Sequence, residues 1–174
     1  MKQSVHCCRL TRMAYGGPEE FMDATERELM SKGGALPTDM FKKARAKDQS
    51  PTNQESGGLQ DRLQSELLDS ELYKEKWDFL LKRLKEGTSY KGFLNVDFHD
   101  AGENSLGYAI GGGQLRYQYK KGPPPTLELR LKDTYDFTKK GHAWGRLQDK
   151  GYLVTYGVNV FIEKIPCPEA AAAK

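Results

Sequence analysis

Cysteine and histidine are scarce in this chain, three of each among 174 residues. Cys7, Cys8 and Cys167 lack the two-residue spacing and the second pair of a zinc knuckle, which excludes that kind of structural metal site. Reduced, structurally incidental thiols are the expectation. A bridge from Cys167 to the N-terminal pair is the alternative, if the termini are neighbours in an oxidising compartment. No apolar run approaches the roughly eighteen residues of a membrane span, and Met1 to Leu10 lack the basic-then-apolar build of a signal peptide. A protein of this sequence acting outside its producer is therefore expected to travel by another route, for example as a module of a larger exported protein. A formal net charge of +3 is too small to argue for nucleic acid. A mildly basic surface nevertheless suits an anionic membrane surface or a phosphorylated ligand.

What is present describes a soluble, mostly globular protein: 37% hydrophobic and 29% charged residues, at a length that allows one compact domain. Residues 18 to 32 read as a helix, with Pro18 in the first turn, Glu19 and Glu20 at the positive end of the helix dipole, and Gly33-Gly34 as the stop. A second short helix is expected from Thr38, as N-cap, through Met40, Phe41 and Ala44. Residues 47 to 58 hold no apolar side chain and carry Pro51, Gly57 and Gly58, so a mobile loop is expected there. Leu59 to about Glu86 keeps a helical rhythm through Leu63, Leu67, Leu72, Trp77, Leu80 and Leu84, with a soft spot at Asp69-Ser70 and Gly87 as its end.

From Gly92 the period changes to two. Strands are expected at Phe93–Phe98, at Leu106–Ile110, around Leu115–Tyr119, through Leu127–Leu131, and finally at Tyr152–Tyr156 and Val158–Ile165. Gly111-Gly112-Gly113 reads as a bent strand rather than a phosphate cradle, since no Lys-Ser/Thr follows. His99 reads as a strand-end residue, and His6 is read as equally incidental. Short strands at close intervals argue for an α+β fold, with N-terminal helices packed against a C-terminal antiparallel curled sheet or open half-barrel. The organisation expected is a helical segment at 1–89, a β-rich region at 90–167 that forms one unit with it, and a disordered tail at 168–174.

The stretch with most chemistry is Asp133-Thr134-Tyr135-Asp136-Phe137-Thr138-Lys139-Lys140-Gly141-His142, placed where a strand is expected to give way to a loop. Two carboxylates three residues apart, a Tyr between them and a His downstream can hold a divalent cation and move a proton. The same residues can also do no more than build and cap a turn. The pattern Asp-x-Tyr-Asp, five residues, then His resembles the active-site motif of colicin M and its bacteriocin relatives. Asp133, Tyr135, Asp136 and His142 match it in identity and spacing, and the similarity spans roughly residues 90–165. The chain departs from the family's pattern after the His, where Ala143 stands in place of Arg. Arg146, four residues after His142, would share a helical face with it if the chain turns helical there.

The resemblance implies a toxin: an Mg²⁺-dependent phosphodiesterase that cleaves the lipid-linked peptidoglycan precursor, lipid II, between undecaprenyl and pyrophosphate, and so stops cell-wall synthesis. It implies action in the target cell's periplasm, lipid II at the membrane surface as partner, a cognate immunity protein, a larger delivery protein, and no nucleic acid. Within it, Asp133 or Asp136 would bind the metal while the other orients a neighbour or activates water. His142 would be the general acid or base, Tyr135 a hydrogen-bond donor to phosphate, and Arg146 a planar anion clamp. Arg130, Lys139 and Lys140 are further substrate-binding candidates. The rival expectations are a β-rich binding or adaptor module in which the motif only shapes a turn, and a degenerate toxin inactive for want of the family Arg.

Overall fold

Among the described residues, the first buried stripe lies on a helix that a proline opens and a glycine closes. In the computed structural model, which describes residues 16–52, 58–86, 90–120, 126–137 and 143–166, α1 spans Pro18–Gly33 and buries Phe21, Met22 and Thr25. Gly34 ends it with φ +81, a left-handed value that L side chains rarely adopt, and its N–H donates to the carbonyls of Leu29 and Met30. The same residue is the N-cap of α2, Ala35–Arg45, so this helix begins four residues earlier than its sequence suggests. Thr38 is consequently interior rather than an N-cap: its hydroxyl donates back to the Gly34 carbonyl at 2.8 Å. Pro37 is tolerated because first-turn N–H groups have no helical acceptor. Arg45 ties the two helices together, its guanidinium reaching Asp23, Glu26 and Glu19, each at 2.7 Å.

The long amphipathic stretch breaks at its soft spot into α3, Leu59–Asp69, and α4, Glu71–Lys85. Ser70 is extended at φ −62, ψ 130, and its Oγ accepts from the Tyr73 N–H at 3.0 Å, the geometry of an N-cap. That hydroxyl in turn donates to Glu103 Oε1 at 2.9 Å, and the Leu72 N–H donates to the same oxygen. Ser70→Ala removes the cap and one partner of a half-buried carboxylate, so a loss of about 1–2 kcal/mol is expected. Urea unfolding would register it as a lower midpoint at unchanged slope.

The sheet is a four-stranded antiparallel meander in the order β1 (Lys91–Asp97), β2 (Gly112–Lys120), β3 (Thr126–Tyr135), β4 (Tyr156–Pro166). It is open rather than closed, so the α+β expectation with a curled, open sheet holds. Alternation sends Leu94, Val96, Leu115, Tyr117, Leu127, Leu129, Leu131, Val158 and Val160 to one face, where they form a single core with the buried stripes of the helices. A fully buried Leu contributes about 1.5–3 kcal/mol of burial free energy, and Leu127, Leu129 and Leu131 are all essentially inaccessible.

Two expected strands are absent. Leu106–Ile110 lies mostly in α5, Asn104–Ala109, where Leu106, Ala109 and Ile110 are buried at helical spacing; five apolar-rich residues fit either period, and packing onto the helical layer decides. Tyr152–Thr155 is not a strand, and pairing with β3 begins only at Tyr156. The described part of the 47–58 loop makes specific contacts with α2 and β4. Lys43 binds Asp48 at 2.6 Å and Ser50 at 3.0 Å. Fully buried Thr52 accepts from the Asn159 N–H at 3.0 Å and donates to its carbonyl at 3.2 Å, capping the outer edge of β4. The three cysteines, His6, Gly87, residues 53–57, the segment 121–125 and the tail 168–174 lie outside the described residues.

Candidate active site at the end of the third strand

Asp133 and Tyr135 are strand residues, not loop residues. β4 is long enough to pair Val158 with Asp133, Gly157 with Thr134 and Tyr156 with Tyr135, so β3 ends only at Tyr135. Both side chains therefore share the inward face with Leu129 and Leu131, Asp133 half-buried and Tyr135 buried. Arg130 and Lys132 project from the other face, so the structure does not bring Arg130 to Asp133. Asp136 and Phe137 follow the strand, the first exposed and the second tucked in by its N–H, which donates to Gln148 Oε1 at 3.0 Å.

Burial pushes the Asp133 carboxyl up to about 6, the negative charge of Asp136 adds to the effect, and the Thr134 N–H partly offsets it. A carboxyl held against its charge near the end of a strand is a feature of functional sites. Room beside it comes from β2: a Cβ on Gly113 would stand 3.2 Å from the Lys132 carbonyl oxygen and 3.5 Å from the Asp133 Cβ. Close approach of the strands is thus what favours glycine at 113.

Tyr135 stacks on Tyr156 with ring centroids 5.2 Å apart and meets Phe137 edge-on at 5.3 Å. Its burial raises the phenol above its ordinary range. The wall continues through Phe137 on Trp144 at 6.0 Å, Phe41 against Trp144 at 5.4 Å and Phe21 against Trp144 at 5.1 Å. Tyr156 is pinned by its hydroxyl, which donates to the Met40 carbonyl at 2.8 Å, and by Lys43 Nζ lying 5.1 Å from its ring centre. Trp144, Phe41 and Gln148 were not evident from sequence. The only available signal was a Trp immediately after the motif.

Trp144, Leu147 and Gln148 belong to α6, Ala143–Asp149. Arg146 follows Trp144 by two positions, about 200° around a helix, and is exposed. No described contact joins it to Asp133. His142, Lys139 and Lys140 lie outside the described residues. His99 is exposed, its ring edge-on to Tyr108 at 5.8 Å, as a strand-end residue would be.

Among the described residues, no three His, Cys, Asp or Glu side chains converge. Asp133, which feels the charge of Asp136 three residues on, and Asp136 itself are the donor type that fits Mg²⁺, which usually takes one or two carboxylates and completes its shell with water and substrate phosphate. Compared with protein-family models, with curated proteins and with solved structures, the chain matches none.

Proposed function

We propose that this protein is a hydrolase of the lipid-linked peptidoglycan precursor, cleaving between the prenyl chain and the pyrophosphate as colicin M-like toxins do, and acting in the periplasm of a target cell. The observation that carries the reading is the half-buried, upshifted Asp133 beside Asp136 at one end of the sheet, both in the motif that resembles that family's. Asp133 and Asp136 would hold Mg²⁺, which when bound supplies charge neutralisation for the departing pyrophosphate. Asp133, rigidly held in the β3 ladder, fixes where that charge is met. Tyr135, with its ring in the aromatic wall, acts as a positioning residue that sets the strand end rather than as a group lying open to phosphate. His142 has the residue type for proton transfer to or from the reacting oxygen.

One observation favours the second reading, a β-rich binding module: Arg146, offered as the anion clamp, stands on the exposed side of α6. Expression in two compartments separates the two. With an export signal the protein should lyse bacterial cells, without one it should be tolerated, and Asp133→Ala should be harmless in both places. Equal toxicity in both compartments would point to a cytoplasmic target. Undiminished killing by exported Asp133→Ala would remove Asp133 from the chemistry.

A further inference from the structure

The face of the sheet turned away from the core carries an unusual row. Phe93, Arg116, Arg130 and Phe161 stand directly opposite one another across all four strands. At about 4.8 Å between neighbouring strands the row runs some 14 Å. Phe93 is 57% exposed, the highest value among the exposed large hydrophobic side chains of the described residues. The Arg130 guanidinium lies 4.9 Å from the centre of the Phe161 ring, which holds its fork in place. Arg116 has only a 3.5 Å hydrogen bond to Gln114. Two like charges directly opposite on a sheet face destabilise it, and Lys132, one position on in the alternation, adds a third. No described carboxylate pairs with any of these three. An ion pair further along the same face, Lys120 with Glu128 at 2.6 Å, does not involve these three cations.

We propose that this face docks on an anionic lipid bilayer, its cations against headgroup phosphates and Phe93 dipping below them. Guanidinium forks take phosphate oxygens two at a time, which relieves the Arg116–Arg130 repulsion. A single-stranded nucleic acid offers the same phosphates, but it needs successive free rings on which bases can stack. Here Arg130 already covers Phe161, and Phe93 alone in the row is open. The choice of lipid also rests on the membrane-borne substrate proposed above: a protein whose substrate sits in a bilayer gains local concentration by lying on it.

The test is co-sedimentation with phosphatidylcholine vesicles, with and without phosphatidylglycerol, in the absence of substrate. Binding is expected only to the anionic vesicles and should fade with salt. Arg116→Glu should lower the association constant by about twenty-five-fold, two charge steps each worth roughly a factor of five near an anionic surface. Phe93→Ser should lower it by about tenfold or more. Both side chains are exposed, so circular dichroism should be unchanged. Equal binding to neutral vesicles, undiminished binding by both variants, or tighter binding of a labelled single-stranded oligonucleotide at the same ionic strength would each overturn the proposal. Turnover of detergent-solubilised lipid II, measured separately, distinguishes the two failures. Vesicle binding without turnover refutes the hydrolase and keeps the docking face, and turnover without vesicle binding does the reverse.

Discussion

Asp133→Asn is expected to lower hydrolysis of the lipid-linked pyrophosphate by about 10³-fold or more, and to make the metal-free protein more stable at pH 8. The carboxyl titrates at about 6 in the folded chain because burial and Asp136 disfavour its charge, against about 3.9 when unfolded. Between those values the folded state binds more protons than the unfolded one, so stability falls as pH rises from about 4 to about 6 and is level above. The penalty is complete at pH 8 and absent below pH 4. A full shift of that size corresponds to nearly 3 kcal/mol; screening of a half-exposed group reduces it to roughly 1–2 kcal/mol. Urea unfolding in EDTA should therefore give Asp133→Asn the higher midpoint at pH 8 and no advantage at pH 4. An advantage of the same size at both pH values would mean that the carboxyl is not held against its charge.

The largest structural effect is expected at Phe41, not at the motif. Its ring is wholly buried and meets both Phe137 and Trp144 edge-on, at 6.0 and 5.4 Å. It thereby couples α2 to the end of β3 and to α6. Phe41→Ala should cost about 3–5 kcal/mol, a large part of the 5–15 kcal/mol typical of a domain. Phe41→Leu, which keeps most of the volume, should cost much less. Thermal unfolding of the pair checks this. Near-equal melting temperatures would show that the wall relaxes around the missing ring.

Where one period repeats without competition, the chain was legible from sequence. Leu127, Leu129 and Leu131 announced a half-buried strand, and Phe21 with Thr25 and Leu29 announced α1. Ser70 is visible as a weakness in a long helix and caps Tyr73 locally, but the carboxylate of Glu103, thirty-three residues on, that accepts from the Ser70 hydroxyl and the Leu72 N–H is not. A five-residue apolar run such as Leu106–Ile110 carries no period of its own, and its neighbours α1 and α2 select the helix. The loop before α3 was expected to be mobile because it lacks apolar residues. The Thr52 hydroxyl is held by the N–H and carbonyl of Asn159 in β4, which composition does not reveal.

The site was half legible. Asp133, Tyr135 and Asp136 stood out by spacing, but their environments depend on β4, which pairs as far as Tyr135 and turns the first two inward. Arg130 was drawn into the candidate set by closeness in sequence, and strand alternation puts it on the opposite face. The wall of Phe41, Trp144 and Tyr156 joins α2 to α6 and β4 at the other end of the chain, and no local pattern gathers them.

The central claim is metal-assisted hydrolysis at Asp133, and release of the headgroup from purified lipid II in detergent tests it most directly. The expected result is Mg²⁺-dependent appearance of the water-soluble, pyrophosphate-bearing sugar-peptide with the prenyl alcohol left behind, stopped by EDTA and by Asp133→Asn. Contradiction would be the absence of that product at any Mg²⁺ concentration from protein that is folded by circular dichroism, or its release at full rate by Asp133→Asn.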